Sequence, residues 1–265
     1  MPIDKPLPRR PLGSTGIAVS ILGLGTVKLG RNEGVKYPTA FAIPDDEAAS
    51  SIIALAKDLG VNLIDTAPAY GNSEERLGKL LKGQRQDWII CSKAGEEFTD
   101  GQSIHDFSAK HLRHSVERSL QRLNTDYIDI LLLHSDGRDR EIVKDGGLEA
   151  LAQLKAEGLI RAFGMSSKTV EGGLLAAQHS DCMMVTYNLN EQAEEPIIDF
   201  CRQHNKGVLL KKILASGHIT AGNQNDALRK SMDFVFSHAG VTSAIVGTIN
   251  PKHLRENVAA AMNSE

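Results

Sequence analysis

The sequence predicts a (β/α)8 barrel preceded by a short β-hairpin. Short apolar runs alternate with amphipathic segments, and eight such strand–helix pairs fit into 265 residues. The apolar runs are continuous, as is typical of strands that are covered by helices on both faces. A doubly wound open sheet is the alternative. Its G-x-G-x-x-G fingerprint is missing, because "GLGTVKLG" after the first strand leads into an irregular stretch over 27–44 and not into a helix.

The predicted elements follow one another in a regular order. First, "RRPLGSTGIAVS" has the Gly and Ser turn residues of a hairpin. The first pair is a strand at 19–25 and a helix at 45–60, which has an acidic first turn and a glycine stop. The other strands are predicted in "VNLIDTA", "DWIICSK", "YIDILLLHS", "IRAFGMSS", "CMMVTYNLN", "KGVLLKKIL" and "SAIVGT", each followed by a helical pattern. No linker interrupts the series, so we expect one domain over residues 1–265.

Composition and charge exclude several classes of protein. Hydrophobic residues make up 41% of the chain and charged residues 24%, which is ordinary for a globular protein. A net charge of -3 gives no reason to expect nucleic acid or an anionic membrane as a partner, and no apolar run is long enough to span a bilayer. The N-terminus lacks the apolar run of a signal peptide, and three scattered cysteines favour reduced thiols. We therefore expect a soluble, cytoplasmic, monomeric protein.

Chemically useful side chains stand at the carboxyl ends of predicted strands. Asp65 closes the second strand and Tyr70 follows in its loop, while Lys93 closes the third strand and His134 the fourth. In a barrel these strand ends meet at one mouth, where active sites are built. Each residue alone could be a cap or a solvated side chain, but four of them on one rim favour a site.

These four residue types suit the protonation of a developing alkoxide. A free tyrosine has a pKa near ~10, so Tyr70 needs tuning to act as an acid at neutral pH. A neighbouring Lys93 cation favours the phenolate and lowers that pKa, and the Asp65 carboxylate can hold the lysine in place. His134 can orient the substrate oxygen or share the proton.

Motifs in the same order along the chain resemble those of the aldo-keto reductases: "GLGT", "IDTAPAYGNSEERLG", "CSK", "LLLHS", "GMSS" and "IVGTINPKHLREN". The likeness extends from residue 8 to residue 262. It implies a barrel that binds a nicotinamide cofactor in extended form and reduces carbonyls without a metal. It also implies that Tyr70 is the general acid and Lys93 its pKa partner. Asp65 would then anchor Lys93, and His134 would orient the substrate.

The resemblance also implies a set of cofactor contacts at the strand ends and in the last helix. These are Gly25, Thr26, Ser166, Ser167, Lys211, Leu214, Ser216, Gly247, Thr248, His253, Glu256 and Asn257. Some positions depart from the family pattern. Met184 stands where a Gln is common, and Lys211 stands where an aromatic residue often stacks on the nicotinamide. The helix after Thr248 has an N-terminus that favours a phosphate.

Two residues that commonly bind a 2′-phosphate are replaced here, by Gly247 and His253. Thr248, Lys252 and Arg255 can still supply such a site together with His253. We therefore expect NADP(H) to be favoured over NAD(H), with a small-molecule carbonyl compound as the substrate.

Two other functions remain open. A metal-dependent hydrolase would need clustered ligands, but of nine histidines only His134 stands at a strand end, so no metal is expected. A cofactor-binding redox sensor or regulatory subunit with little turnover is the more serious alternative, because the nicotinamide contacts depart from the family pattern. The loop predicted after His134, over 135–146, is short and charged. We therefore expect an open pocket, shaped by residues 27–44, the 95–107 loop and the 215–226 flap.

Overall fold

Eight parallel strands close into a barrel at the centre of the protein, in a computed structural model that describes residues 6–215 and 224–264. In chain order the strands are β1 (Arg9–Pro11), β2 (Ala18–Ser20), β3 (Leu22–Gly25), β4 (Leu63–Asp65), β5 (Ile89–Ala94), β6 (Glu96–Thr99), β7 (Gln102–His105), β8 (Ile128–His134), β9 (Ile160–Ser166), β10 (Cys182–Thr186), β11 (Gly207–Lys211) and β12 (Ser243–Val246). The barrel runs β3–β4–β5–β8–β9–β10–β11–β12 and closes back on β3. The predicted (β/α)8 barrel is confirmed, and so is the N-terminal hairpin of β1 and β2.

Helices alternate with the barrel strands along the chain. They are α1 (Val27–Gly30), α2 (Asp46–Asp58), α3 (Ser73–Leu80), α4 (Ala109–Leu123), α5 (Asp139–Lys144), α6 (Gly147–Ala156), α7 (Val170–Gln178), α8 (Glu195–Gln203), α9 (Gln224–Ser237) and α10 (Pro251–Asn263), with a 3-10 turn at Arg85–Asp87. The side chains of Asp45, Ser108 and Asn250 accept hydrogen bonds from N–H groups in the first turns of α2, α4 and α10. None of the helices in the described ranges is long and apolar enough to cross a membrane.

Three segments differ from the sequence prediction. The segment 95–107, expected as a loop, contains the antiparallel hairpin of β6 and β7. Its turn residues Asp100 and Gly101 have φ angles of 53° and 77°, and positive values at both positions are what a two-residue type I′ turn requires. The segment 135–146 contains α5, and the irregular stretch 27–44 begins with the single turn α1.

The N-terminal hairpin plugs one end of the barrel. Leu12, Ile17 and Val19 are buried there and pack in one cluster with side chains from the barrel strands. Gly207, at the start of β11, leaves room for this plug, because a Cβ on it would overlap the side chain of Leu12. With this end filled by apolar side chains, the carboxyl ends of the strands are left for a site.

A buried carboxylate links three neighbouring barrel strands near the same end. Asp129 on β8 is 1% exposed. Its Oδ2 accepts hydrogen bonds from the backbone N–H of Ile90 at 3.0 Å and from Arg85 Nη2 at 2.8 Å. Its Oδ1 accepts one from Arg161 Nη1 at 2.6 Å. The carboxylate therefore joins β5, β8 and β9 beyond their ladder hydrogen bonds.

Replacing this carboxylate is expected to destabilise the barrel. Asp129→Ala leaves a buried N–H and two arginines without their acceptor, so the free energy of unfolding should fall by about 2–4 kcal/mol in urea titrations. Asp126→Ala, at an exposed position three residues earlier, is the control and should change it by less than about 0.5 kcal/mol. Equal losses in the two variants would contradict this prediction.

Candidate active site

A cavity of about 840 Å³ opens at the carboxyl ends of the barrel strands. It lies opposite the plug of the N-terminal hairpin, where the geometry of a parallel barrel brings the strand ends together. Most of the residues singled out from the sequence line it. They are Gly25, Asp65, Tyr70, Lys93, His134, Ser166, Ser167, Lys211, Leu214, Gly247, Thr248, His253, Glu256 and Asn257.

Two of the predicted cofactor contacts are not among these lining residues. The hydroxyl of Thr26 is buried and donates to the carbonyl oxygen of Asp65 at 2.9 Å, so it ties the end of β3 to the end of β4 and does not face the cavity. Ser216 lies outside the described residues, and so does most of the segment 215–226 that was expected to cover the pocket.

A buried ion pair lies at the base of the cavity. Lys93 near the end of β5 donates from Nζ to Asp65 Oδ1 at 2.6 Å and to the carbonyl oxygen of Thr66 at 2.9 Å. Lys93 is 2% exposed and Asp65 4% exposed. Burial disfavours the charge on Lys93, but the groups around it, with the Asp65 carboxylate foremost and Tyr70 next, together outweigh burial and raise the lysine pKa above its ordinary value. Lys93 is therefore a cation at physiological pH.

A sharp turn brings Tyr70 back over this cation. Gly71 has a φ of 61°, and a Cβ on it would overlap the carbonyl oxygen of Gly30, so the turn depends on glycine. The phenol ring is placed with its centroid 4.7 Å from Lys93 Nζ. This is within the range at which a cation is attracted to an aromatic face.

The phenol of Tyr70 experiences two opposing effects. Burial raises its pKa, and Lys93 lowers it, as the sequence analysis expected. Burial is the larger effect, so the net shift is upward, opposite to the net direction expected from the sequence. Tyr70 therefore keeps its proton at neutral pH, which a proton donor must do, and Lys93 reduces the cost of giving it up.

The imidazole of His134 faces the same space. Its ring lies edge-to-face against Tyr70, with centroids 6.3 Å apart and an interplanar angle of 83°. Burial lowers the pKa of His134. Its Nδ1 lies 2.7 Å from Oε2 of Glu96, a residue that the sequence analysis did not single out because it assigned that segment to a loop.

A second polar cluster joins the ends of β9 and β11. Lys211 Nζ donates to Ser166 Oγ at 2.9 Å and to the carbonyl oxygen of Ser167 at 2.6 Å. Ser167 Oγ donates in turn to Glu194 Oε1 at 2.7 Å. Burial lowers the pKa of Lys211 to about 8. Sequence reasoning missed Glu194, because a glutamate just before a helix is indistinguishable from an ordinary N-terminal helix acid.

The far end of the cavity reaches the first turn of α10. The Asn250 side chain accepts from the N–H groups of Lys252 and His253 at this N-terminus. Tyr37 crosses the cavity nearby, since a Cβ on Gly247 would lie 3.0 Å from its hydroxyl oxygen. Lys28 Nζ lies 4.0 Å from the Tyr37 ring centroid, a contact that no sequence pattern indicated.

The residues present fit an extended dinucleotide. The cavity extends from the Lys93–Asp65 pair to the N-terminus of α10, and its volume is in the range of cofactor sites. Hydroxyl and ammonium donors of Ser166 and Lys211 stand near one end, and a helix N-terminus that favours a phosphate stands at the other. A parallel barrel with this mouth can therefore hold a nicotinamide dinucleotide.

Known proteins resemble the chain in sequence and in fold. A family model described as the Aldo/keto reductase family matches residues 21–233. A solved structure of a putative aldo-keto reductase from Pseudomonas aeruginosa is 59% identical, has a TM-score of 0.88 and aligns over 97% of this chain and 94% of its own. The uncharacterized oxidoreductase YqkF from Bacillus subtilis is 28% identical over 96% of this chain and 90% of its own. The NADH-specific methylglyoxal reductase of Escherichia coli is 31% identical over 79% of this chain and 68% of its own.

The chain therefore belongs to the aldo/keto reductase family, as its motifs suggested. It is an NAD(P)H-dependent oxidoreductase, in general terms a carbonyl reductase that acts on small molecules.

The Lys93–Asp65 pair is expected to show strong energetic coupling. Lys93→Met or Asp65→Asn alone leaves the other group buried without its partner and should lower the free energy of unfolding by about 3–5 kcal/mol. The double variant should lose about 1–3 kcal/mol less than the sum of the two single losses. The matched control is the exposed pair Lys57–Asp87, also 2.7 Å apart, whose cycle should give a coupling below about 1 kcal/mol. Similar couplings in the two cycles would contradict the prediction.

Proposed function

We propose that the protein reduces aldehydes or ketones to alcohols with Tyr70 as the proton donor and NADP(H) as the preferred cofactor. The observation that carries this proposal is the placement of Lys93. Its ammonium group is fixed by Asp65 and lies against the Tyr70 ring, at the base of a cavity large enough for a cofactor and a carbonyl compound. All of these residues come from one barrel, so residues 1–265 act as one catalytic domain.

Charge develops on the carbonyl oxygen during the reaction. A nicotinamide held near Ser166 and Lys211 would supply the hydride for the carbonyl carbon. Tyr70 donates its phenolic proton to the oxygen, so that no alkoxide accumulates. Lys93 stabilises the phenolate that Tyr70 becomes, because a cation close to it in a buried site lowers the free energy of the anion. Asp65 keeps Lys93 charged and in position throughout.

His134 orients the carbonyl oxygen toward Tyr70. Its ring lies edge-to-face with the phenol, and both side chains line the cavity. A substrate oxygen placed between the two rings meets both polar groups at once. This geometric requirement is independent of the rest of the substrate, and it suits a site that accepts more than one carbonyl compound.

The first test is the removal of the Tyr70 hydroxyl. Tyr70→Phe should lower kcat/KM for an activated aromatic aldehyde and for methylglyoxal by about 10²–10⁴-fold, because general acid catalysis contributes that much. Its dissociation constant for NADPH, measured by fluorescence titration, should stay within about twofold of that of the wild type.

Tyr127→Phe is the matched control. Its ring packs under Arg85, outside the residues that line the cavity, and its turnover should equal that of the wild type. If Tyr70→Phe turns over as fast as Tyr127→Phe, the acid is another group. If the wild type binds NADPH but reduces none of a broad panel of carbonyls, the protein is a cofactor-binding sensor or subunit instead.

Preference for NADP(H) rests on residues at the N-terminus of α10. Thr248 and His253 line the cavity where the adenosine end of the cofactor would lie, and Lys252 and Arg255 are exposed on the same turn. The relative from Escherichia coli is named for NADH specificity, so membership of the family does not decide the cofactor.

Binding constants test this preference directly. The wild type should bind NADPH more tightly than NADH, and His253→Ala should weaken NADPH binding about 3–10-fold while changing NADH binding less than about twofold. His114→Ala, at an exposed position on α4, should leave both constants unchanged. Equal effects of His253→Ala on the two dissociation constants would contradict a contact between His253 and the 2′-phosphate.

A further inference from the structure

A carboxylate next to the catalytic mouth has no part in the mechanism above. Glu96 begins β6, three residues after Lys93, and its Oε2 lies 2.7 Å from His134 Nδ1. The two side chains are 14% and 19% exposed, so this contact is mostly shielded from water and from salt.

The β6–β7 hairpin holds Glu96 in place. Glu96 pairs in register with His105, and its Oε1 accepts a hydrogen bond from Ser103 Oγ on the opposite strand at 2.6 Å. One carboxylate oxygen is thus bound by the hairpin, and the other is left for the histidine. A glutamate that is fixed in this way does not behave as a free surface acid.

Opposing charges surround His134 and Glu96. Burial and the cations Lys93 and Lys211 disfavour a charge on His134, and Glu96 favours it. The phenol ring of Tyr70 lies edge-to-face against the imidazole. Around Glu96 itself, burial favours the protonated acid, but the contact with His134 outweighs burial, and the Glu96 pKa falls to about 2. Glu96 is therefore an anion at any working pH.

The ionisable side chains around Glu96 are Arg31 and His105, besides His134. The Arg31 guanidinium lies on the ring of Phe98 in the same hairpin and donates to the carbonyl oxygen of Ala69, next to Tyr70. It therefore links the hairpin to the loop that carries the phenol, and its cation faces the Glu96 carboxylate without contacting His134.

We propose that Glu96 is a positioning residue for His134. Its carboxylate fixes a proton on Nδ1 and is the counter-ion of the doubly protonated ring. That ring then donates a hydrogen bond from Nε2 to the carbonyl oxygen of the substrate, while Tyr70 remains the proton donor. The donor role rests on the proposed function, whereas the coupling of the two side chains does not. With Nδ1 beside Glu96, Nε2 is the ring nitrogen left for the cavity that His134 lines.

The contact is close in distance but not yet aligned as a hydrogen bond. Nδ1 is buried and the direction of its N–H misses the carboxylate, although the two atoms are 2.7 Å apart. The proposal requires the imidazole and the carboxylate to align in the working complex. Catalytic hydrogen bonds are commonly loose without substrate and tighten in the working complex.

The contact with Glu96 changes the His134 pKa in a definite direction. Glu96 opposes the effects that lower the His134 pKa, so its removal should lower this pKa further. At a fixed pH near neutrality a smaller fraction of His134 then carries the second proton. The limb of the reduction profile that falls as pH rises should therefore move to lower pH.

The test compares Glu96→Gln with Glu97→Gln in the full-length protein. Glu97 is the next residue of the same strand and pairs with Arg118 and His111 on α4, so its variant removes the same charge from the same hairpin without contacting His134. The His134 pKa is measured by NMR titration of its Cε1–H, assigned with His134→Gln. Thermal unfolding establishes that all variants are folded.

Glu96→Gln should lower the His134 pKa by about one pH unit, and Glu97→Gln should leave it unchanged. In steady-state reduction of an activated aldehyde with NADPH, the falling limb of kcat/KM should shift by the same amount. Near neutral pH this corresponds to about a tenfold loss, with the NADPH dissociation constant unchanged. Glu96→Asp, which keeps the charge, should lower the His134 pKa less than Glu96→Gln does.

An unchanged His134 pKa in Glu96→Gln would overturn the proposal, as would a loss of activity that is uniform across pH. If the wild type reduces no carbonyl, the proposed function fails, but the NMR titration still decides whether Glu96 controls the charge of His134.

Discussion

The buried ion pair of Lys93 and Asp65 is the constraint on which the rest of the site depends. Two charges taken out of water cost several kcal/mol each, and only close, fixed contact recovers that cost. Neighbouring parallel strands provide it, because β4 and β5 end side by side and their backbone cannot separate without breaking the barrel. The carbonyl oxygen of Thr66 supplies a further acceptor for the ammonium group. On the opposite side, the N-terminal hairpin fills the end of the barrel with buried apolar side chains.

The proposed role of Tyr70 depends on how this cation competes with burial. Burial alone would raise the free energy of the phenolate, and a cation in water would be screened too strongly to lower it much. In the proposed mechanism a cation fixed close to the ring leaves the phenol protonated before the reaction and lowers the free energy of the phenolate when it forms. A raised pKa and a catalytic acid are therefore compatible, because the cost of losing the proton is reduced at the moment when charge appears on the substrate oxygen.

The sequence alone was sufficient for the barrel and for the residues that stand at strand ends. Asp65, Lys93 and His134 end or nearly end apolar runs, so the topology of a barrel places them together without any knowledge of side-chain contacts. Glu96 and Glu194 could not be found in this way. The β6–β7 hairpin is made of short polar strands without hydrophobic alternation, and only the Asp-Gly turn signalled it. Glu194 precedes a helix, where an acid is ordinary, and its contact with Ser167 depends on how α8 packs against α7 and β10.

These two carboxylates complete a pattern that no single motif shows. Lys93 faces Asp65, His134 faces Glu96, and Lys211 lies close enough to Glu194 for its charge to be favoured. Each of these three basic groups thus has an acid on a neighbouring element, which reduces the net charge at the base of the cavity. A cavity with unbalanced cations would bind any anion, whereas paired charges leave the field at the reacting oxygen to the groups within hydrogen-bond reach of it.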